Sequence, residues 1–209
     1  EFRQMAGLVY PDMSRWACQE SDLQAAKAKA VANGSIRLVG AVDWGYNNPF
    51  CGLMGFVDSD GVLWIEEEHY ASRMLIAEHA KQLSKEYEYF VDPSGLQETN
   101  EFRACGMWAT SSSNNITLGI ELVTKRGKQG KLRISPRCKS LLSEAETYHY
   151  REGTDSPVKD DDHAMDSVRY MVMGVDGGSR PAIISLRDED SNEIPELLDS
   201  DDSRIWKEL

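Results

Sequence analysis

The residues with chemistry in them are acids, and they stand in three places. Asp43 ends the apolar run of IRLVGAVDWGYNNP, residues Ile36 to Pro49; Asp92 ends the run of YFVDPSG; and KDDDHAMD gathers Asp160, Asp161, Asp162, His163 and Asp166. A carboxylate where an apolar strand leaves the core is costly to desolvate unless hydrogen-bond donors or a metal ion compensate it. For Asp43 alone the simpler reading is a side chain that caps its turn through its own backbone. Its repetition at Asp92 favours a metal, because acids at the carboxyl ends of adjacent parallel strands can share a site. In the third group, Asp162, His163 and Asp166 converge on one side of a helix, where residues three and four apart are neighbours. Acids in a first helical turn also suit the helix dipole, so part of that cluster needs no other function. Hard oxygen donors suit Mg²⁺ or Mn²⁺, and an imidazole suits Mn²⁺ better than Mg²⁺.

The elements that must position these groups follow from hydrophobic pattern and turn residues. Leu38, Val39, Ala41 and Val42 read as a strand buried in mid-sheet. Cys51 to Val57 and Val62 to Glu66 read as two more strands joined by a hairpin turn at Asp58-Ser59-Asp60-Gly61, which completes an antiparallel meander. Ser72 is expected to cap a helix running to about Tyr87, with Leu75, Ile76, His79, Ala80 and Leu83 on one face. His79 reads as a partly buried helix residue, since nothing near it repeats metal spacing. The strand Tyr87 to Val91 follows a helical crossover and is therefore expected to be parallel to its neighbour. Further on come a helix over Leu96 to Ala104, a strand at Trp108 to Thr110, and a helix from Asn115 to about Arg126 capped by the Ser111-Ser112-Ser113 loop. A turn at Gly127 to Gly130, a strand at Leu132 to Ile134 and a helix capped at Ser135-Pro136 complete the middle of the chain. In the final helix Ala164, Met165, Val168, Met171, Val172 and Val175 form the core arc, opposite the acids and His163. Before all of these lies an alanine-rich helix from Asp22 to Ala32, stopped by Asn33-Gly34.

At 209 residues the chain has length for one good-sized core plus tails. Its 41% hydrophobic and 28% charged content is that of an ordinary soluble globular protein. No apolar run reaches the ~20 residues needed to span a bilayer, and no signal segment opens the chain. No membrane partner is expected, and cytosol is the default. Cys18, Cys51, Cys105 and Cys138 are far apart without a CxxC pair, and read as free thiols. A net charge of -12 argues against a surface that is basic throughout. Charge is unevenly distributed, however. Arg187 to Leu209 holds nine acids and three bases, whereas Lys125 to Lys139 holds seven bases and no acid. Local enrichment of that kind marks Lys125, Arg126, Lys128 and Lys131 as candidate DNA-phosphate contacts. The opening EFRQMAGLVYP, without an initial Met, reads as the continuation of something longer.

Two acids at strand ends and a third group at the start of a terminal helix match the way a ribonuclease H-like fold builds its site. Such a site holds two divalent metals roughly 4 Å apart and drives in-line attack of water on a phosphodiester. The set AVDWGYNNP, YFVDPSG and KDDDHAMDSVRY, in this order and spacing, resembles the nuclease domain of the phage large terminase subunit, the motor that packages viral DNA. GLVYP resembles the segment that follows the ATPase domain there, and DHxxDxxRY is the most specific part of the likeness, which covers about Gly7 to Gly174. The resemblance implies an α/β, ribonuclease H-like mixed sheet, a three-strand antiparallel meander plus parallel strands, flanked by helices. It implies a metal-dependent endonuclease that cuts concatemeric double-stranded DNA in the host cytoplasm, with the portal protein and small terminase subunit as partners. By position it makes Asp43, Asp92, His163 and Asp166 catalytic residues and ligands of two Mg²⁺ or Mn²⁺ ions, with Asp162 a direct or water-mediated ligand. It divides the chain into a lead-in over 1–35, a nuclease domain over 36–176 and an acidic tail over 177–209. No GxxxxGK[ST] loop occurs in these residues, so cleavage rather than translocation is expected of them. A haloacid-dehalogenase-type phosphatase would need a second Asp two residues after Asp43, where Gly45 stands. The rival of a different kind is a catalytically silent docking domain of a packaging motor, working through the acidic tail, whose apolar residues suit either a portal contact or a solubilising segment.

Overall fold

The computed structural model describes residues 7–177. The expectations placed on the tail from Arg187 to Leu209, and on residues 1–6, lie outside these. β1 (Arg37–Asp43) is buried without interruption from Val39 onward, as its apolar run requires, and lies third in a six-stranded sheet of order β5-β4-β1-β2-β3-β6. It pairs antiparallel with β2 (Phe50–Val57), which pairs antiparallel with β3 (Leu63–Ala71). On its other side β1 pairs parallel with β4 (Glu88–Val91), and β4 with β5 (Trp108–Ser111); β6 (Leu132–Ile134) lies parallel to β3. The meander and the parallel additions are those expected.

Alternation along the strands sorts the two faces. Val39, Ala41 and Phe90 join the core built with α4 (Ile116–Lys128), α5 (Lys139–Thr147) and α6 (His163–Asp176). Val42, Tyr89 and Val91 join the opposite core with α2 (Ile76–Ala80) and α3 (Leu96–Ala104). Because successive strand residues face opposite ways, Asp43 and Asp92 continue the α6 face. Helix α6 lies close on the sheet: a Cβ at Gly174 would collide with the Phe90 ring. From Ala164 to Met173 every residue of α6 is buried, so the arc opposite its apolar stripe is covered too. Val9, Tyr10, Met13 and Trp16 pack into the same core, and α1 (Glu20–Ala32) ends at Asn33 with Gly34 at φ +60°. No helix among the described residues is long and apolar enough to cross a membrane, and all four cysteines are free.

Three local expectations need correction. The long helix from Ser72 to Tyr87 is only α2, five residues, because β3 runs on to Ala71 and Arg73 takes φ +60° while donating its N–H to Tyr46 O at 2.7 Å. Helix geometry cannot begin before Leu75, which is exposed, and after Ala80 the bonds tighten to i→i+3. Helix α4 is capped by Asn115, whose side chain accepts the Leu118 N–H, and it runs through Gly127, where a Cβ would collide with Trp16. Helix α5 starts at Lys139, not Ser135: the Glu68 carboxylate of β3 accepts the N–H groups of Ser140 and Leu141 at 2.7 and 3.0 Å.

Candidate active site

Asp43 is where β1 leaves the core, and its fate is decided by α6. Its Oδ2 lies 3.0 Å from His163 Nδ1, so the side chain does not cap its own turn through that oxygen. Its N–H donates to Ser167 Oγ at 3.0 Å, and that hydroxyl donates to Cys51 O at 2.8 Å. One buried serine thus ties the end of β1 and the start of β2 to the first turns of α6. Burial pushes the Asp43 carboxyl up to about 6; the His163 contact works against this, while Asp166 and Asp92 add to it. His163 is raised in turn, first by the hydrogen bond to Asp43.

Helix α6 needs a start as well as a face. Asp162 occupies its N-cap but makes no side-chain cap, and Asp161 before it sits at φ +46°, a left-handed conformation that Asp tolerates better than most residues. The capping acceptor comes from α5. Glu144 Oε2 accepts the N–H groups of Ala164 and Met165 at 2.7 and 3.2 Å, and its Oε1 accepts the Tyr70 hydroxyl at 2.7 Å. Burial raises Glu144 to about 6, against the bonds it accepts. Burial also raises Asp162, with Asp166 adding to the effect. Asp166 is buried, and its Oδ1 accepts two bonds from Arg169, at 3.2 Å from Nε and 2.7 Å from Nη2. Asp92 behaves as Asp43 was expected to on the simpler reading. Its two oxygens accept the Ser94 N–H and hydroxyl at 2.9 and 2.6 Å, closing its own turn.

The three acidic points therefore come to one end of the β1/β4 pair. Among the described residues no group of three His, Cys, Asp or Glu stands ready to hold a metal ion. The donor chemistry nevertheless fits one. Asp43 is a carboxylate whose burial is under-compensated, three further acids of this set lie along the same seam, and His163 engages Asp43 through Nδ1, which leaves Nε2. A histidine with one ring nitrogen on a carboxylate is the arrangement that orients the other nitrogen towards a metal.

Other candidates lie elsewhere. His79 is buried in the opposite core, bonded to His69 at 2.8 Å and stacked on Phe50 at 3.9 Å, as a structural histidine. The basic group is not brought to the acids. Arg126 forks onto Asp176 at 2.6 and 2.9 Å, at the far end of α6, about 20 Å from His163 at 1.5 Å per helical residue. It also donates to Gly61 O and Lys131 O, and Lys131 Nζ donates to Asp60 O at 2.6 Å. Arg126 is thus already paired, while Lys125 and Lys128 are exposed beside a groove of about 710 Å³ lined also by Leu8, Trp16 and Ile120. Sequence reasoning missed Ser167, Glu144 and Arg169; DHxxDxxRY contains Arg169, but nothing local marks it as buried.

An antiparallel meander extended by parallel strands, with helices on both faces, makes a ribonuclease H-like mixed sheet. Among solved structures the chain is similar to the phage P22 large terminase nuclease domain, at 18% identity over 68% of this chain and 82% of that one, with a TM-score of 0.62. It is similar to the large terminase from a thermophilic bacteriophage at 20% identity and TM-score 0.64, covering 80% of this chain but 44% of that one. Similarity extends to the large terminase nuclease of another thermophilic phage, G20c, with bound magnesium, at 17% identity over 66% of this chain and 80% of that one, TM-score 0.51. No family model and no curated protein matches the chain. The chain has the fold of phage large terminase nuclease domains.

Proposed function

We propose that this chain is the nuclease part of a phage large terminase subunit, a metal-dependent endonuclease that cuts concatemeric double-stranded DNA during genome packaging. The observation that carries this reading is the Asp43 to His163 contact, which joins the end of a central strand to the start of a terminal helix on the fold those nucleases share. Asp43, Asp92, His163 and Asp166 would hold two Mg²⁺ or Mn²⁺ ions, with Asp162 beside them. When bound, such ions supply an activated water and a charge that steadies the leaving oxygen. The protein's own part is to hold its donors still. Ser167 and Glu144 fix the ends of β1 and α6, and the covering helices keep Asp43 out of bulk water. The magnesium bound by the G20c nuclease supports a divalent cation here.

Of the four basic residues, Lys125 and Lys128 are the ones free to meet a phosphate backbone, at a distance from the acids that a duplex could span. In this reading the portal protein and the small terminase subunit are partners, and the site of action is the host cytoplasm. Incubation of the chain with plasmid in Mg²⁺, Mn²⁺ and chelator tests it: nicked and linear products appear only with metal. A silent docking domain would leave the plasmid intact under all three conditions.

A further inference from the structure

Arg169 is the largest of the fully buried side chains, 1% exposed and charged. A guanidinium is kept out of water only where something compensates it, and here the compensation is one-sided. Nε and Nη2 both donate to Oδ1 of Asp166, the Tyr170 ring centre lies 4.5 Å from the guanidinium carbon, and Nη1 is buried with no partner among the described residues. The seat is cut by Gly119 of α4, where a Cβ would collide with Cγ and Cδ of Arg169 and crowd Met173 Sδ. Packing alone would be served better by a neutral chain, since burying an ion pair costs more than burying an apolar side chain of similar volume. The charge is aimed at a single carboxylate oxygen of the acid cluster.

We propose that Arg169 is a positioning residue for that cluster: by occupying Oδ1 of Asp166 it leaves Oδ2 alone to face a divalent ion, and so holds Asp166 as a one-oxygen ligand. A carboxylate can bind a cation through one oxygen or two, and a fork of donors on one oxygen fixes both the choice and the plane. The inference rests on the metal-dependent reading above and adds to it a residue that does not touch the ion or the DNA. Its positive charge also limits how tightly the cluster as a whole attracts a cation.

The test combines Arg169→Met, Arg169→Lys and Gly119→Ala, read by Mn²⁺ titration calorimetry, the Mn²⁺ electron-spin line shape and plasmid turnover. Arg169→Met removes the charge and frees the second oxygen, so Mn²⁺ binding is expected to tighten roughly tenfold while kcat falls and KM for DNA stays put. Arg169→Lys restores the charge without the fork, so affinity returns towards the parent but the line shape does not. A purely structural arginine would instead lose Mn²⁺ affinity and thermal stability together, and that result overturns the proposal. If Arg169→Met does not fold, Gly119→Ala decides, because it crowds Arg169 from another helix. A parent-like line shape and turnover in that variant also overturn the proposal. A parent chain that binds no Mn²⁺ at all overturns the metal-dependent reading itself, and this inference with it.

Discussion

At the scale of single residues, removing the charge of Asp43 is expected to stabilise the metal-free protein. Its carboxyl is raised to about 6 by burial, so between the ordinary range and 6 the folded state holds a proton that the unfolded state has lost. The contribution is present in full below the unfolded value and is lost as pH rises through about 6. At pH 8 in chelator, Asp43→Asn should gain up to about 3 kcal/mol over the parent, a rise of several degrees in melting temperature, and at pH 4 the gap should close. Equal melting of the two at both values would place Asp43 in water rather than in the seam. The two histidines separate in the same way. His163→Ala should weaken Mn²⁺ binding, measured by calorimetry, with little change in melting temperature. His79→Ala should lower the melting temperature, since it leaves a hole against Phe50 and strips His69 of its bond, and leave Mn²⁺ affinity alone.

At the scale of elements, two helices are started by acids from elsewhere. Glu68 of β3 begins α5, and Glu144 of α5 begins α6, so the meander sets the helix that carries His163 and Asp166. Truncation by Glu144→Ala leaves two helix N–H groups and the Tyr70 hydroxyl without an acceptor, and should cost about 2 kcal/mol in denaturant titration. Glu144→Gln keeps an acceptor and should cost less. Mn²⁺ affinity should fall with the first and much less with the second; the same loss from both would assign Glu144 to charge rather than to capping. These links were beyond the reach of the sequence for a plain reason. Glu68 and Ser140 are 72 residues apart, Asp43 and Ser167 are 124 apart, and no local pattern announces such pairs. What is legible is periodic or terminal: the unbroken apolar run of β1, the acids at the ends of β1 and β4, the bounds of α3 and β6, and the apolar arc of α6. The apolar spacing from Ser72 is real, but the Arg73 bond to Tyr46 O holds the chain out of helix geometry before Leu75.

At the scale of the whole molecule, acids and the Arg126 group lie at opposite ends of α6, and on the proposed function a phosphate backbone would have to reach both. Replacing Lys125 and Lys128 by Gln should weaken DNA binding and reduce the salt dependence of log affinity by about 2, near one unit per lost phosphate contact, with Mn²⁺ binding unchanged. Adding Arg126→Gln should mainly destabilise, because it leaves Asp176 unpaired. An unchanged salt slope in the double variant would make those lysines a solvated surface. On the proposed function, the acids at the ends of β1 and β4 and the start of α6 would form a metal-dependent nuclease site. The most direct measurement is cleavage of supercoiled plasmid by the parent, Asp43→Ala and Asp92→Ala in Mn²⁺, Mg²⁺ and chelator, each protein first shown folded by circular dichroism. The parent should nick and linearise the plasmid with metal and not with chelator, and both variants should leave it supercoiled throughout. Cutting by the parent in chelator, or cutting at the parent rate by either folded variant, would contradict a metal-dependent site at these acids.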